Sequence, residues 1–95
     1  LAATVTVKFY SLLRRRLGMA AIEVEADGLT VRELLQRAEK QAGRPFLGEL
    51  LDRASGLLDG TMVLVNGENV RLKQYLDTRV SAGDTVDLFS PAGGG

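Results

Sequence analysis

One long run of helical spacing sits between stretches that alternate residue by residue, and that order restricts the fold more than any other feature of the chain. Thr30 followed by Glu33 is a capping-box pattern, after which Val31, Leu34, Leu35, Ala38 and Ala42 recur on one helical face until Gly43. Before it, the run Thr4 to Tyr10 alternates, with Val5, Val7 and Phe9 on one side and Thr4, Thr6 and Lys8 on the other. Ile22 and Val24 then alternate with Glu23 and Glu25, and Asp27-Gly28 closes the run with a turn dipeptide. Both runs have the period of half-buried strands, and they make a hairpin-like pair. After the helix, Thr61 to Val65 is rich in β-formers, and Asn66-Gly67 is a strong hairpin signal leading to a return segment, Glu68, Asn69 and Val70. Gly83-Asp84 turns the chain into a last strand, Thr85 to Phe89, with Val86 and Leu88 toward the core, and Pro91 stops it.

Shorter elements fill the gaps. Ser11 to Leu17 reads as a short turn of helix with Leu12, Leu13 and Leu17 inward and Arg14, Arg15 and Arg16 outward, ended by Gly18. Pro45 opens a shorter second helix bearing Leu47, Leu50, Leu51 and Ala54, interrupted at Ser55-Gly56. Leu72 to Leu76 reads as an irregular or helical bridge. Strand, strand, helix, strands implies one mixed sheet with its main helix packed across one face, an α+β arrangement. With the first and last strands paired in parallel at the centre, this is the ubiquitin-like β-grasp. A chain of 95 residues builds one core, and no linker or repeat divides it, so residues 1–89 form the domain and residues 90–95 a flexible C-terminal tail.

The residue types present narrow the chemistry. With neither cysteine nor histidine, the chain lacks thiolate and imidazole metal ligands, a thiol nucleophile and the commonest catalytic base. The carboxylates Asp27, Glu33, Asp52, Asp59, Glu68 and Asp84 sit mainly at turns and caps, where they have structural uses. Twelve basic residues balance twelve acidic ones, which is not the footprint of a nucleic-acid binder, so the expected partners are proteins. No apolar run approaches the roughly 20 residues of a membrane span, and a cytoplasmic location is the expectation.

The ending breaks the ordinary pattern. Gly93, Gly94 and Gly95 follow Pro91 and Ala92, so a slim carboxylate is presented beyond the last strand. No helix follows the glycines, so they are not a phosphate cradle. From Ser90 the extended tail reaches about 20 Å at roughly 3.3 Å per residue, far enough to enter a partner's nucleotide site. Glycine permits the close backbone approach that a narrow channel requires. The plain alternative is an idle flexible end.

The ending Phe89-Ser90-Pro91-Ala92-Gly93-Gly94-Gly95 resembles that of the MoaD/ThiS family of ubiquitin-like sulfur carriers, best its molybdopterin synthase branch. Val65-Asn66-Gly67-Glu68, the segment Ala82-Gly83-Asp84-Thr85-Val86, and Val7-Lys8-Phe9-Tyr10 with Leu12-Leu13 and Gly18 are also similar in order and spacing. Two positions depart from the pattern: Ser90 stands where a first proline is common, and Gly93 where alanine, serine or threonine is common. The Gly43 to Gly60 region is longer than in the compact thiazole-type carriers, which favours that branch less.

The resemblance implies a mechanism. An ATP-dependent activating enzyme, using ATP and magnesium, converts the Gly95 carboxylate to an acyl adenylate, and a sulfur donor displaces AMP to leave a thiocarboxylate. The chain itself binds no cofactor and is a group carrier, not the catalyst. In the molybdopterin branch it also docks on a synthase large subunit, as the small subunit, to deliver sulfur to a pterin precursor. Pro91, Ala92, Gly93 and Gly94 would form the threading tail. Phe89, at its root, is either a partner contact or ordinary packing, and Arg14 to Arg16 either a solvated face or a charged aid to docking. Two other classes stay open: a ubiquitin-like modifier that joins Gly95 to lysines through isopeptide bonds, and a noncatalytic interaction domain.

Overall fold

A computed structural model describes residues 3–91. Five strands, β1 (Thr4–Phe9), β2 (Ala21–Glu25), β3 (Met62–Val65), β4 (Glu68–Asn69) and β5 (Thr85–Phe89), form one mixed sheet in the order β2-β1-β5-β3-β4. The central pair β1 and β5 is parallel, with Thr6 opposite Thr85 and Phe9 opposite Leu88, while every other pairing is antiparallel. Two helices complete the fold, α1 (Ser11–Leu17) and α2 (Val31–Ala42). This is the expected ubiquitin-like β-grasp with α2 as its main helix, while its short helix is α1, where a short turn of helix is expected, and not the one expected after Pro45.

Alternation decides which sheet face is covered. Val5, Val7 and Phe9 of β1, Val24 of β2, Val63 and Val65 of β3, and Val86 and Leu88 of β5 are all buried. They share one core with Val31, Leu34, Leu35 and Ala38 of α2. Phe9 meets Phe46 edge to face at 5.4 Å between ring centroids, the geometry that the ring quadrupoles favour. The start of α2 is fixed by the expected capping box. Thr30 Oγ1 accepts from the Glu33 amide at 3.2 Å, and the Glu33 carboxylate accepts from the Thr30 amide at 2.9 Å. The bond from the Thr30 amide, joined by the Thr30 hydroxyl donating to Glu33 Oε1 at 3.1 Å, holds the Glu33 carboxyl below its ordinary value.

The hairpin signal also holds. Asn66 and Gly67 have φ of 50° and 84°, the paired left-handed conformations of a type I′ turn between β3 and β4. The Asn66 side chain locks that turn to the approach of β5, donating to Asp84 Oδ1 and accepting from the Thr85 amide, each at 2.9 Å.

Three local expectations are corrected. The helix expected after Pro45 contracts to a single 3-10 turn, Leu47–Glu49. Beyond it, Leu51 bridges Leu57, and the Asp52 carboxylate captures the amides of Ala54 and Gly56 at 2.9 and 3.0 Å. A side-chain acceptor of this kind offers the backbone a turn instead of a helix. Leu50 is nonetheless fully buried, so the apolar spacing marked core contacts, not a helix face. The second correction is Leu12, which is 51% exposed while Leu13 and Leu17 are buried. One helix turn separates Leu13 from Leu17, so they share a face that Leu12 cannot join. Thirdly, β1 ends at Phe9, and Tyr10 stands outside it as the residue before α1.

Candidate functional site

The open face of the sheet, opposite α2, carries the residues around the point where the chain leaves β5. Phe89 follows the buried Leu88 and therefore projects to the other face. The parallel register that sets Phe9 opposite Leu88 brings Tyr10 beside Phe89, and the Tyr10 amide donates to the Leu88 carbonyl at 3.2 Å. The two rings stack with centroids 4.3 Å apart and planes 11° from parallel. The Tyr10 hydroxyl donates to Asp87 Oδ1 at 2.9 Å. That hydrogen bond, helped by desolvation and the Asp87 charge, raises the Tyr10 pKa, so the hydroxyl is neutral at physiological pH and serves as a brace, not a nucleophile.

On the other side of β5, Met62 lies opposite Phe89 in the antiparallel register and is 38% exposed. Met62, Phe89, Leu12 and Pro91, with Ser11 and Gly60 at the margins, line a shallow apolar groove of about 300 Å³. A larger open hollow of about 500 Å³, bordered by Arg14, Arg15 and Met19, lies on the far side of Ser11. Arg16 pairs instead with Glu49 and donates to the Pro45 carbonyl, tying α1 to the loop after α2. The arginine run therefore divides between a structural tie and two exposed cations.

Among the sequence-derived site residues, Phe89 and Pro91 are brought together at this groove. Ala92, Gly93, Gly94 and Gly95 lie outside the described residues. Sequence reasoning missed Tyr10, Met62 and Leu12 as companions of Phe89. A signal existed for Tyr10, which continues the polar side of the β1 alternation after Thr4, Thr6 and Lys8 and is an aromatic out of place there. Among the described residues, no group of three His, Cys, Asp or Glu side chains is placed to hold a metal ion, and no helix is long and apolar enough to cross a membrane. The site offers an apolar contact surface with a chain leaving its edge, which suits binding to a protein more than bond making.

Comparison with known proteins points the same way. The chain matches the ThiS family model over residues 7–95, a span that includes the glycine ending. A protein of Archaeoglobus fulgidus described as a candidate sulfur carrier is 34% identical over 74 residues, covering 78% of this chain and 83% of that one. Among solved structures, SAMP1 of Haloferax volcanii, a small archaeal modifier protein, superposes with a TM-score of 0.78 at 26% identity, covering 97% of this chain and 99% of that one. A Pyrococcus furiosus protein described as a candidate subunit 1 of the molybdopterin converting factor superposes with a TM-score of 0.64 at 26% identity, covering 96% of this chain and all of that one.

Proposed function

The chain belongs to the ThiS family of ubiquitin-like sulfur-carrier proteins, and from that premise we propose that it carries sulfur as a thiocarboxylate on Gly95. A carboxylate is a poor electrophile, because its charge repels nucleophiles and oxide cannot leave. Activation is therefore required, and among the described residues no group of three His, Cys, Asp or Glu side chains is placed to hold a metal ion that would assist it. An ATP-dependent partner does so: a Gly95 carboxylate oxygen attacks the α-phosphorus of ATP, pyrophosphate leaves, and an acyl adenylate results. Hydrosulfide delivered by a donor then adds to the carbonyl carbon and AMP departs with the bridging oxygen, leaving a thiocarboxylate with no change of oxidation state. This chain's part is to dock and to deliver its end, while the partner orients the reactants and stabilises the developing charge. Magnesium and ATP belong to the partner, and the chemistry takes place in the cytoplasm.

The observation that carries this reading is the position of the apolar groove, which lies where the chain departs toward Ala92-Gly93-Gly94-Gly95. A partner gripping Phe89 and Met62 holds the body while the last residues enter its nucleotide site. As the sulfur acceptor we propose a pterin precursor, with this chain docked on a molybdopterin synthase large subunit. The sequence resemblance and the likeness to the Pyrococcus furiosus protein support that choice. The higher similarity to a small archaeal modifier protein favours a second reading, in which activated Gly95 joins lysines of other proteins.

The test compares the unaltered chain with one lacking Gly95 and one extended by a residue, each given the matched activating enzyme. Deletion shortens the reach by about 3.3 Å, and misplacement of about 1 Å can cost on the order of a hundredfold in rate. Both changes should abolish ATP-pyrophosphate exchange and sulfur loading while thermal unfolding stays nearly constant. Full activity in both altered chains contradicts the proposal. Sulfur loading without protein adducts favours the carrier over the modifier, and lysine-linked adducts reverse that preference.

A further inference from the structure

We propose that Gly60 is a positioning residue for the tail, its bare α-carbon forming the seat against which Pro91 directs the chain out of the sheet. The functional half of this proposal rests on the carrier reading above, whereas the contact itself does not.

Register places the two residues together. Met62 lies opposite Phe89, so continuing the antiparallel pairing outward sets Thr61 against Ser90 and Gly60 against Pro91. Proline has no N–H and cannot extend the ladder, so contact between the chains must replace hydrogen bonding there. Gly60 faces Pro91 from a tight turn in which the Thr61 amide donates to the Leu58 carbonyl at 3.0 Å. Its φ of +84°, with Asp59 on the negative side, is the third-position conformation of a type II turn. A Cβ at residue 60 would stand 3.4 Å from Pro91 Cβ and 3.6 Å from Pro91 Cα. A methyl group would fill the available space, and a longer side chain would displace Pro91 or open the turn.

Both flanks of this seat are held. Thr61 is buried, and its hydroxyl donates to the Leu50 carbonyl at 3.3 Å, fixing the turn to the core. Phe89 is held by its stack on Tyr10. The direction of the chain is thus set at Pro91, before four further residues that span roughly 13 Å when extended.

Gly28 provides a matched control. Its φ of +80° gives any side chain the same backbone strain, but a Cβ there meets nothing within 4 Å. The first arm of the test needs no partner: in the unaltered chain, NMR should detect a cross-relaxation peak between a Gly60 α-proton and the Pro91 β-protons, and its absence overturns the contact. The second arm compares Gly60→Leu with Gly28→Leu in ATP-pyrophosphate exchange with the matched activating enzyme, alongside thermal unfolding. Both should lose stability, but only Gly60→Leu should lower kcat, by about tenfold or more with KM little changed, because docking survives while the carboxylate is misdirected. Adding Pro91→Gly to Gly60→Leu should recover part of that loss, whereas Pro91→Gly alone should not raise kcat. Equal kcat values for the two leucine variants, or strictly additive effects in the pair, overturn the positioning role. If the unaltered chain shows the Gly60 to Pro91 peak and yet is never activated, the carrier reading fails and takes the functional half with it.

Discussion

Replacing Phe89 by alanine separates the contact face from the core, because the two faces of β5 differ by a single residue. Phe89 is partly exposed and stacks on Tyr10, whereas Leu88 beside it is fully buried. An aromatic pair contributes about 0.5 to 1.5 kcal/mol beyond burial, so loss of the stack with some apolar area should cost about 1 to 2 kcal/mol. For a domain of this size that lowers Tm by roughly 4 to 16 °C. Phe9→Ala is the internal standard: Phe9 is 1% exposed and packed on Phe46, and its truncation should cost about 3 to 5 kcal/mol. If Phe89 anchors the activating partner, its loss should weaken productive engagement by about 2 kcal/mol or more, roughly thirtyfold in KM. Urea unfolding measures the first quantity, and steady-state ATP-pyrophosphate exchange measures the second. A Phe89→Ala chain as unstable as Phe9→Ala, or one activated with unchanged KM, refutes the assignment of this face to docking.

Other perturbations probe the scaffold. Thr30→Ala removes the side chain that caps α2 and should cost about 1 kcal/mol in urea unfolding, while Ser55→Ala, on an exposed loop, should cost far less. Because the folded-state pKa of Glu33 is depressed below its ordinary 4.5, its stabilising effect is complete above that value and is lost as pH falls through the folded value. The stability gap between the unaltered chain and Glu33→Gln should therefore narrow on acidification, and a gap constant with pH would contradict the linkage. Exhaustive treatment with a chelator should leave the far-ultraviolet circular dichroism intact, since the fold is held by an apolar core; a large loss would reveal a required metal.

The sequence made the sheet and its main helix readable because their signals agree at several levels. Thr30 and Glu33 mark the start of α2, the apolar spacing marks its buried face, and Gly43 ends it in a left-handed conformation. Alternation in Thr4 to Phe9 and Thr85 to Phe89 likewise fixes which side chains enter the core. The segment after Pro45 misled because Leu50 is a core residue and Leu47 and Leu51 pack half-buried against that core, while Asp52 turns the chain at Ala54 to Gly56, and periodicity reports burial without reporting that competition. Leu12 misled because a run of leucines in a short helix does not say which of them faces inward.

The site was legible only in part. Phe89 stood out by its place at the end of a strand, but the groove around it depends on pairings across β1, β3 and β5 that bring together residues far apart in the chain. Tyr10 and Met62 join Phe89 through register, and Gly60 meets Pro91 through a turn on the neighbouring strand. Apart from the aromatic Tyr10 on the polar side of an alternating run, none of these contacts has a local signature. The glycine ending, by contrast, is legible in sequence alone as three residues without side chains after Pro91 and Ala92, and the proposed chemistry assigns it a carboxylate at Gly95.

The central claim is that this carboxylate is a sulfur-bearing group. Its most direct test is the intact mass of the protein recovered from its native host, with fragmentation to locate any change. The account expects a species in which sulfur replaces one carboxylate oxygen at Gly95. Finding only the oxygen form, while the matched activating enzyme and sulfur donor are present and active, would contradict it.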